Sequence, residues 1–179
     1  MNQLNHWQQL TICCALCERS MPNLDLYCEL TETSELAQNC RKMLNKVWEY
    51  LRGQLKSEKN IEKQLILLND IMPELDEDQF GALAANDCLV ALQSCLQAIL
   101  DKSISDAEAI SQMMSERLDQ FLELQGFTTD HELVQRHSAF VIDLEQAVAS
   151  QTSHADVVKQ LMPLAKDGGL SHLGISLDD

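Results

Sequence analysis

Two stretches of this sequence are apolar on every side of a helix. Residues 12–17 read Ile-Cys-Cys-Ala-Leu-Cys, and residues 82–92 are apolar except for Asn86 and Asp87. Around the first, Leu4, Trp7, Leu10, Cys14, Cys17 and Met21 recur at steps of three and four, which is the helical period. A helix apolar all round has no face to offer water and belongs in the middle of a body. Helices over 4–20 and 79–101 are therefore expected as a central pair, with the other elements packed around them. Only 3 Pro and 6 Gly occur in 179 residues, too few for a turn-rich β architecture.

The surrounding elements follow from spacing and caps. Ser20-Met21-Pro22-Asn23 reads as a turn, with Pro22 opening a short segment over 22–30. Thr31, Thr33 and Ser34 offer N-caps for a helix over 34–56, whose stripe is Leu36, Cys40, Met43, Leu44, Val47, Trp48, Leu51 and Leu55. Asn60 is the expected cap of a helix through Met72, stopped by Pro73. An acidic loop follows over 74–78. Ser105-Asp106-Ala107-Glu108 and Thr129-Asp130-His131-Glu132 have the form of capping boxes, and Gly126 suits the residue after a helix end. Ser153 caps a last helix that stops near Lys166-Asp167-Gly168-Gly169. The tail, 170–179, still carries Leu170, Leu173, Ile175 and Leu177, so it is expected to dock on the body or on a partner. No repeat or composition shift divides the chain. The expectation is one all-α domain over 1–179, an antiparallel bundle of six to seven helices with a docked tail.

Charge narrows the function classes. Lys plus Arg total 13 against 28 Asp plus Glu, a net charge of −15. Such a chain repels phosphate backbones and anionic lipid heads, so neither nucleic acid nor a membrane is an expected partner. The densest basic run is Arg41, Lys42, Lys46, Arg52, Lys56, Lys59 and Lys63, interleaved with Glu49, Glu58 and Glu62. It reads as a solvated helix face with i,i+4 partners. No apolar stretch reads as a membrane span, and no basic segment followed by an apolar run marks an export signal. Seven cysteines, an odd number, fit reduced thiols in the cytoplasm better than a disulfide framework.

Motifs that carry chemistry are weak. Cys14-Ala15-Leu16-Cys17 has C-x-x-C spacing but sits mid-helix in an apolar run, with no strand before it. A zinc site needs two further ligands, and the spacing of Cys28 and Cys40 fits no standard template. The thiols read as core. Asp76, Asp78, Gly81 and Asp87 partly fit a calcium loop, but Phe80 and the short Asp87 occupy two ligand positions poorly. An acidic helix start explains the same residues. No metal or cofactor is expected. His137 lies on its helix's apolar stripe between Leu133 and Val141 and reads as a hydrogen-bonded core histidine.

Asp87 is the most informative polar residue, because Leu83, Ala84, Val90 and Ala91 around it on the helix are apolar. A buried carboxylate needs a partner, and Arg19, at the end of the other central helix, is the expected one. Two readings follow: a polar pocket of Glu18, Arg19, Asn23, Glu49 and Asp87, or an ion pair that only fixes helix register.

The chain resembles the YjaG-like bacterial family of uncharacterised proteins. The resemblance rests on Trp7-Gln8, Thr11, Leu16-Cys17-Glu18-Arg19, Pro22-Asn23 and Cys28, then on Trp48-Glu49, Gln64-Leu65, Gly81, Ala85, Asp87, Val90-Ala91-Leu92, Ser171, Gly174 and Ile175. Cys14 and Cys88 each stand one residue off the family pattern. The resemblance implies an all-helical bacterial protein of the cytoplasm and supplies no reaction. The expected function is that of a non-enzymatic interaction or adaptor protein that self-associates. The alternative is binding of a small anionic ligand, as a binding protein or enzyme, around Arg19 and Asp87, where a guanidinium holds carboxylate or phosphate bidentately.

Overall fold

The structure is a computed structural model that describes residues 4–74, 81–128, 130–150 and 152–176. Among these residues it contains seven α-helices and no strand: α1 (His6–Leu30), α2 (Ser34–Leu51), α3 (Glu58–Ile71), α4 (Ala82–Leu100), α5 (Ala107–Leu124), α6 (Glu132–Val148) and α7 (His154–Lys166). A 3₁₀ turn, Asp167–Gly169, follows α7.

The first helix is the hub. It packs most extensively on α4 and also touches α2, α5, α6 and α7. The two backbones come close at small side chains: Cys17 Sγ lies 3.7 Å from the Cys88 carbonyl oxygen, and Cys88 Sγ 3.6 Å from Met21 Sδ. Leu10, Ile12, Cys14, Leu16, Leu89, Leu92 and Cys95 are all at most 1% exposed. The expected central pair is thus the observed one.

The turn expected at 20–23 does not form. α1 runs through Pro22 as one 25-residue helix. An interior proline costs about 3 kcal/mol. Burying Met21 and Leu24 completely returns about 1.5–3 kcal/mol each, and Ser20 Oγ donates to the Cys17 carbonyl at 2.8 Å. Packing of the following turns therefore outweighs the local signal.

Three other ends differ from expectation. α2 stops at Leu51 rather than 56, because Gly53 takes φ 74° just past the Arg52 cap, a conformation glycine adopts freely. Ser57, not Asn60, caps α3, its hydroxyl accepting from Asn60 N at 3.3 Å. Asp106 precedes α5 but leaves its backbone uncapped and accepts from Ser94 Oγ at 2.8 Å instead, tying α5 to α4. The second expected box also shifts: His131 Nδ1 accepts from Leu133 N at 3.3 Å, while Thr129 lies outside the described residues. The acidic loop beyond Glu74, positions 76–80 of the partial calcium loop and Leu177 lie outside them as well.

By length and hydropathy α4 would pass for a membrane span, against the sequence reading, but 67% of that window is buried in the body. Its apolar surface is used by the core. The tail docks as expected. Ser171 N donates to the Ile175 carbonyl at 2.8 Å, and Ser171 Oγ accepts from Leu173 N and Ile175 N at 3.2 and 3.1 Å. Leu173 then packs against Ala84, Leu118 and Leu122.

Candidate functional site

Arg19 is 4% exposed and its partners are on α7, not α4. Nε donates to the Ala165 carbonyl at 3.0 Å, Nη2 to the Leu164 carbonyl at 2.7 Å, and Nη1 to Asp167 Oδ2 at 2.5 Å. Phe140 covers the guanidinium face, 3.9 Å from its ring centroid. The last carbonyls of a helix lack intrahelical donors, and a cation there also meets the negative end of the helix dipole. Arg19 is thus the C-terminal clamp of α7. Burial lowers its pKa to about 10, still well above neutrality, so it stays charged. Arg136 adds a second guanidinium on Asp167.

The expected Arg19–Asp87 pair is not formed. Asp87, 2% exposed, takes a two-pronged bond from Arg117 on α5, Nε to Oδ2 at 2.6 Å and Nη2 to Oδ1 at 3.2 Å. Glu49 is exposed on α2. Asn23 is 1% exposed, one turn beyond Arg19 on the same face of α1, and neither of its amide atoms has a partner. The five residues expected to share one pocket are distributed over separate places.

Of the five, Glu18 lines an open cleft. The cleft holds about 410 Å³ and is walled by Glu18, Pro22, Asp25, Arg41, Asn45, Lys166 and Gly169. Glu18 is 2% exposed, and both its oxygens are engaged, by Arg41 Nη1 at 2.6 Å and Trp48 Nε1 at 2.9 Å. Burial and the Arg41 charge act in opposite directions on Asp25, and burial wins: its pKa is raised. For Arg41 burial pulls downward, but the Glu18 carboxylate prevails and the pKa is raised.

Two further hollows adjoin the cleft along the seam between α2 and α7. Lys166 also borders a second hollow of about 530 Å³, with Arg52, Ala155, Lys159, Met162 and Pro163. Arg52 in turn borders a third, of about 390 Å³, with Trp7, Tyr50, Leu55, Lys56 and His154 among its walls. Ala155, Lys159, Met162, Pro163 and Lys166 follow one another at helical steps, so one face of α7 presents them all. Among the described residues no ion pair engages Arg52, Lys159 or Lys166. The hydrogen-bond partner of Arg52 Nη2 is Met162 Sδ, and a thioether is a weak acceptor. The i,i+4 pairs expected along α2 are likewise not formed among these residues.

His137 is buried, as its stripe position required, but neither ring nitrogen has a hydrogen-bond partner. Its neighbour is His172 in the tail, with ring centroids 5.6 Å apart and both nitrogens equally unpartnered. Burial and the nearby Arg19 charge lower the His137 pKa to about 4. Burial and His137 lower that of His172 to about 3. Both are neutral at physiological pH. All seven cysteines are free and buried. Burial pushes the Cys13 thiol up to about 12 and those of Cys14 and Cys95 well up, while the hydrogen bond with Cys88, then burial, does the same for Cys17. A thiol so held is a poor nucleophile and ligand.

Sequence reasoning missed Lys159, Lys166, Arg117, Asp167 and His172. The spacing of Lys159 and Lys166 across Met162 and Pro163 was a usable signal for a shared face. Nothing local placed that face beside Arg52.

This chain has relatives both in sequence and in fold. It is 42% identical over 102 residues to an uncharacterised protein of Haemophilus influenzae, a match covering 56% of this chain and 51% of that one. Over 102 residues it is 33% identical to uncharacterised protein YjaG of Salmonella typhimurium and 32% identical to that of Escherichia coli, covering 56% of this chain and 50% of each. These matches span about half the length of the curated relatives. The crystal structure of a DUF416 family protein from Shewanella baltica superposes with a TM-score of 0.81 at 27% identity, over 97% of this chain and 95% of that one. The family model described as "Protein of unknown function (DUF416)" matches residues 1–176, and the chain therefore belongs to the DUF416 family.

Proposed function

We propose that this protein is a non-enzymatic interaction protein of the cytoplasm whose working face is the α2–α7 seam. The observation that carries the reading is charge segregation. A chain of net charge −15 keeps Arg52, Lys159 and Lys166 together, without carboxylates, around one hollow. Unpaired cations on an acidic body repel few anionic partners locally and steer them to one place. The free, buried thiols support a reducing compartment. The exposed Ile66 and Leu67 on the edge helix α3 support self-association through a second, apolar face.

A second reading is favoured by the cleft between Glu18, Arg41 and Lys166: a small anionic ligand held at its cationic wall. Arg19 and Asp87 are not part of that site, because both side chains are committed to structural partners.

Native mass spectrometry of untagged protein, purified from its own host without chelators, separates the readings. A protein partner lost in the Arg52→Glu/Lys159→Glu variant supports the seam as an interaction face. An added mass of a few hundred daltons, lost in Arg41→Gln, supports the small ligand. A bare monomer whose spectrum neither variant changes counts against both.

A further inference from the structure

We infer that the seam takes an extended acidic peptide with interspersed apolar side chains; this rests on the seam being the working face. The three hollows adjoin one another, since Lys166 lines the first and second and Arg52 the second and third. From Arg41 to Arg52 α2 rises about 16 Å, which an extended chain covers in about five residues. The floor is not uniformly polar. Ala155, Met162 and Pro163 alternate with Lys159 and Lys166 along the α7 side, and Trp7, Tyr50 and Leu55 continue the apolar lining past Arg52. Alternate side chains of an extended peptide point opposite ways, so acids can reach the lysine ammoniums while apolar neighbours rest on Met162 and Pro163.

The two ends of the seam favour a peptide over a nucleic acid. Glu18 and Asp25 line one end and Glu58 the other. Glu18 is already held by Arg41 and Trp48, but the carboxylates of Asp25 and Glu58 disfavour a continuous phosphate backbone and can accept from the backbone N–H groups of a peptide. Arg52 supplies a planar donor fork to a peptide carboxylate; its present acceptor is a thioether, so the exchange costs little.

The test is fluorescence anisotropy with the full chain and a labelled hexapeptide alternating Glu and Leu. An all-Glu hexapeptide and a six-nucleotide single strand serve as competitors. Binding is expected to weaken with salt, and by at least about tenfold in the Arg52→Glu/Lys159→Glu variant. Circular dichroism and thermal melting confirm that the variant is folded. The all-Glu peptide is expected to compete about tenfold less well than the unlabelled Glu-Leu peptide. No binding of the Glu-Leu peptide at low salt overturns the inference. So does equal competition by the all-Glu peptide, or stronger competition by the oligonucleotide, which would identify a phosphate chain as the occupant. If the native spectrum shows a seam-dependent partner while the peptide fails, only the occupant is wrong. If charge reversal changes neither, the seam itself is excluded as the working face.

Discussion

Helix α7 has cations on both of its sides, and they are used in opposite ways. On the inner side Arg19 places three nitrogens on two carbonyls and a carboxylate beneath Phe140. On the outer side Lys159 and Lys166 stand exposed, and Arg52 reaches only a thioether. The inner cation is desolvated and fully compensated, so removing it leaves buried acceptors unpaired. The outer ones keep their hydration and give little to stability. Charge alone therefore does not mark function in this molecule. Whether a cation's donors are already satisfied separates a scaffold residue from one free to meet a partner.

The largest expected break in that contrast is Arg19→Met. It preserves side-chain length and removes every donor, leaving Leu164 and Ala165 carbonyls without partners at the end of α7. The two stranded carbonyls cost about 1–3 kcal/mol each, while Asp167, 31% exposed, keeps its bond from Arg136. Urea denaturation should show a loss of that size, and Arg19→Lys should recover only a small part, because one ammonium cannot reproduce the guanidinium fork. A loss below about 1 kcal/mol, the range of an exposed ion pair, would place Arg19 with the outer cations.

Acid should weaken the same inner region next. Burial lowers the pKa of His137 to about 4 and of His172 to about 3, below the ordinary value near 6.5. As pH falls through 6.5 the unfolded chain takes up protons there and the folded chain does not. Stability supplied by the neutral rings is therefore full above about 6.5 and is lost as pH falls toward 4 and then 3. Each histidine contributes up to about 1.4 kcal/mol per pH unit in that window. Denaturation at pH 7, 6 and 5 should show the decline, and His172→Phe should make it shallower. A slope unchanged by that substitution would show that His172 titrates normally.

A smaller effect is expected in the tail. Ser171 is fully buried, and its Oγ accepts from Leu173 N and Ile175 N. Ser171→Ala strands those donors at a cost of about 1–3 kcal/mol. Hydrogen exchange should show the amides of Leu173 and Ile175 losing protection before those of α1 or α4. Uniform loss across all helices would mean that the tail is not a separable docking element.

How much of this was legible depends on the range of each interaction. The stripe residues Leu36, Cys40, Met43 and Val47, the cap at Ser153 and the stop at Gly126 are local signals and were readable. Pro22 was misread because its cost is local, while the packing of Leu24 and Cys28 that offsets it comes from other helices. Asp87 is readable as a buried carboxylate needing a partner, but the partner is Arg117, 30 residues on along the chain, and Arg19 instead meets Asp167, 148 residues away. Periodicity says which face of a helix is inward and is silent on which helix lies opposite. For the same reason the α2 cations looked like a solvated face. Only the packing of α7 beside α2 places Arg41 and Arg52 in the walls of hollows there.

The smallest expected effect on stability is on the outer side of α7, and it sharpens the contrast most. Neutralising Arg52, Lys159 and Lys166 together, each to Gln, removes no ion pair among the described residues and no well-satisfied hydrogen bond. Exposed substitutions of this kind usually change stability by no more than about 0.5 kcal/mol. In so acidic a chain, each neutralised cation also adds to long-range self-repulsion, a term that salt screens over about 10 Å. The triple variant should therefore melt with wild type at moderate ionic strength and slightly below it at low salt. A stability loss approaching that of Arg19→Met at both ionic strengths would show that these cations hold α7 to α2, and the outer face would then be scaffold like the inner one.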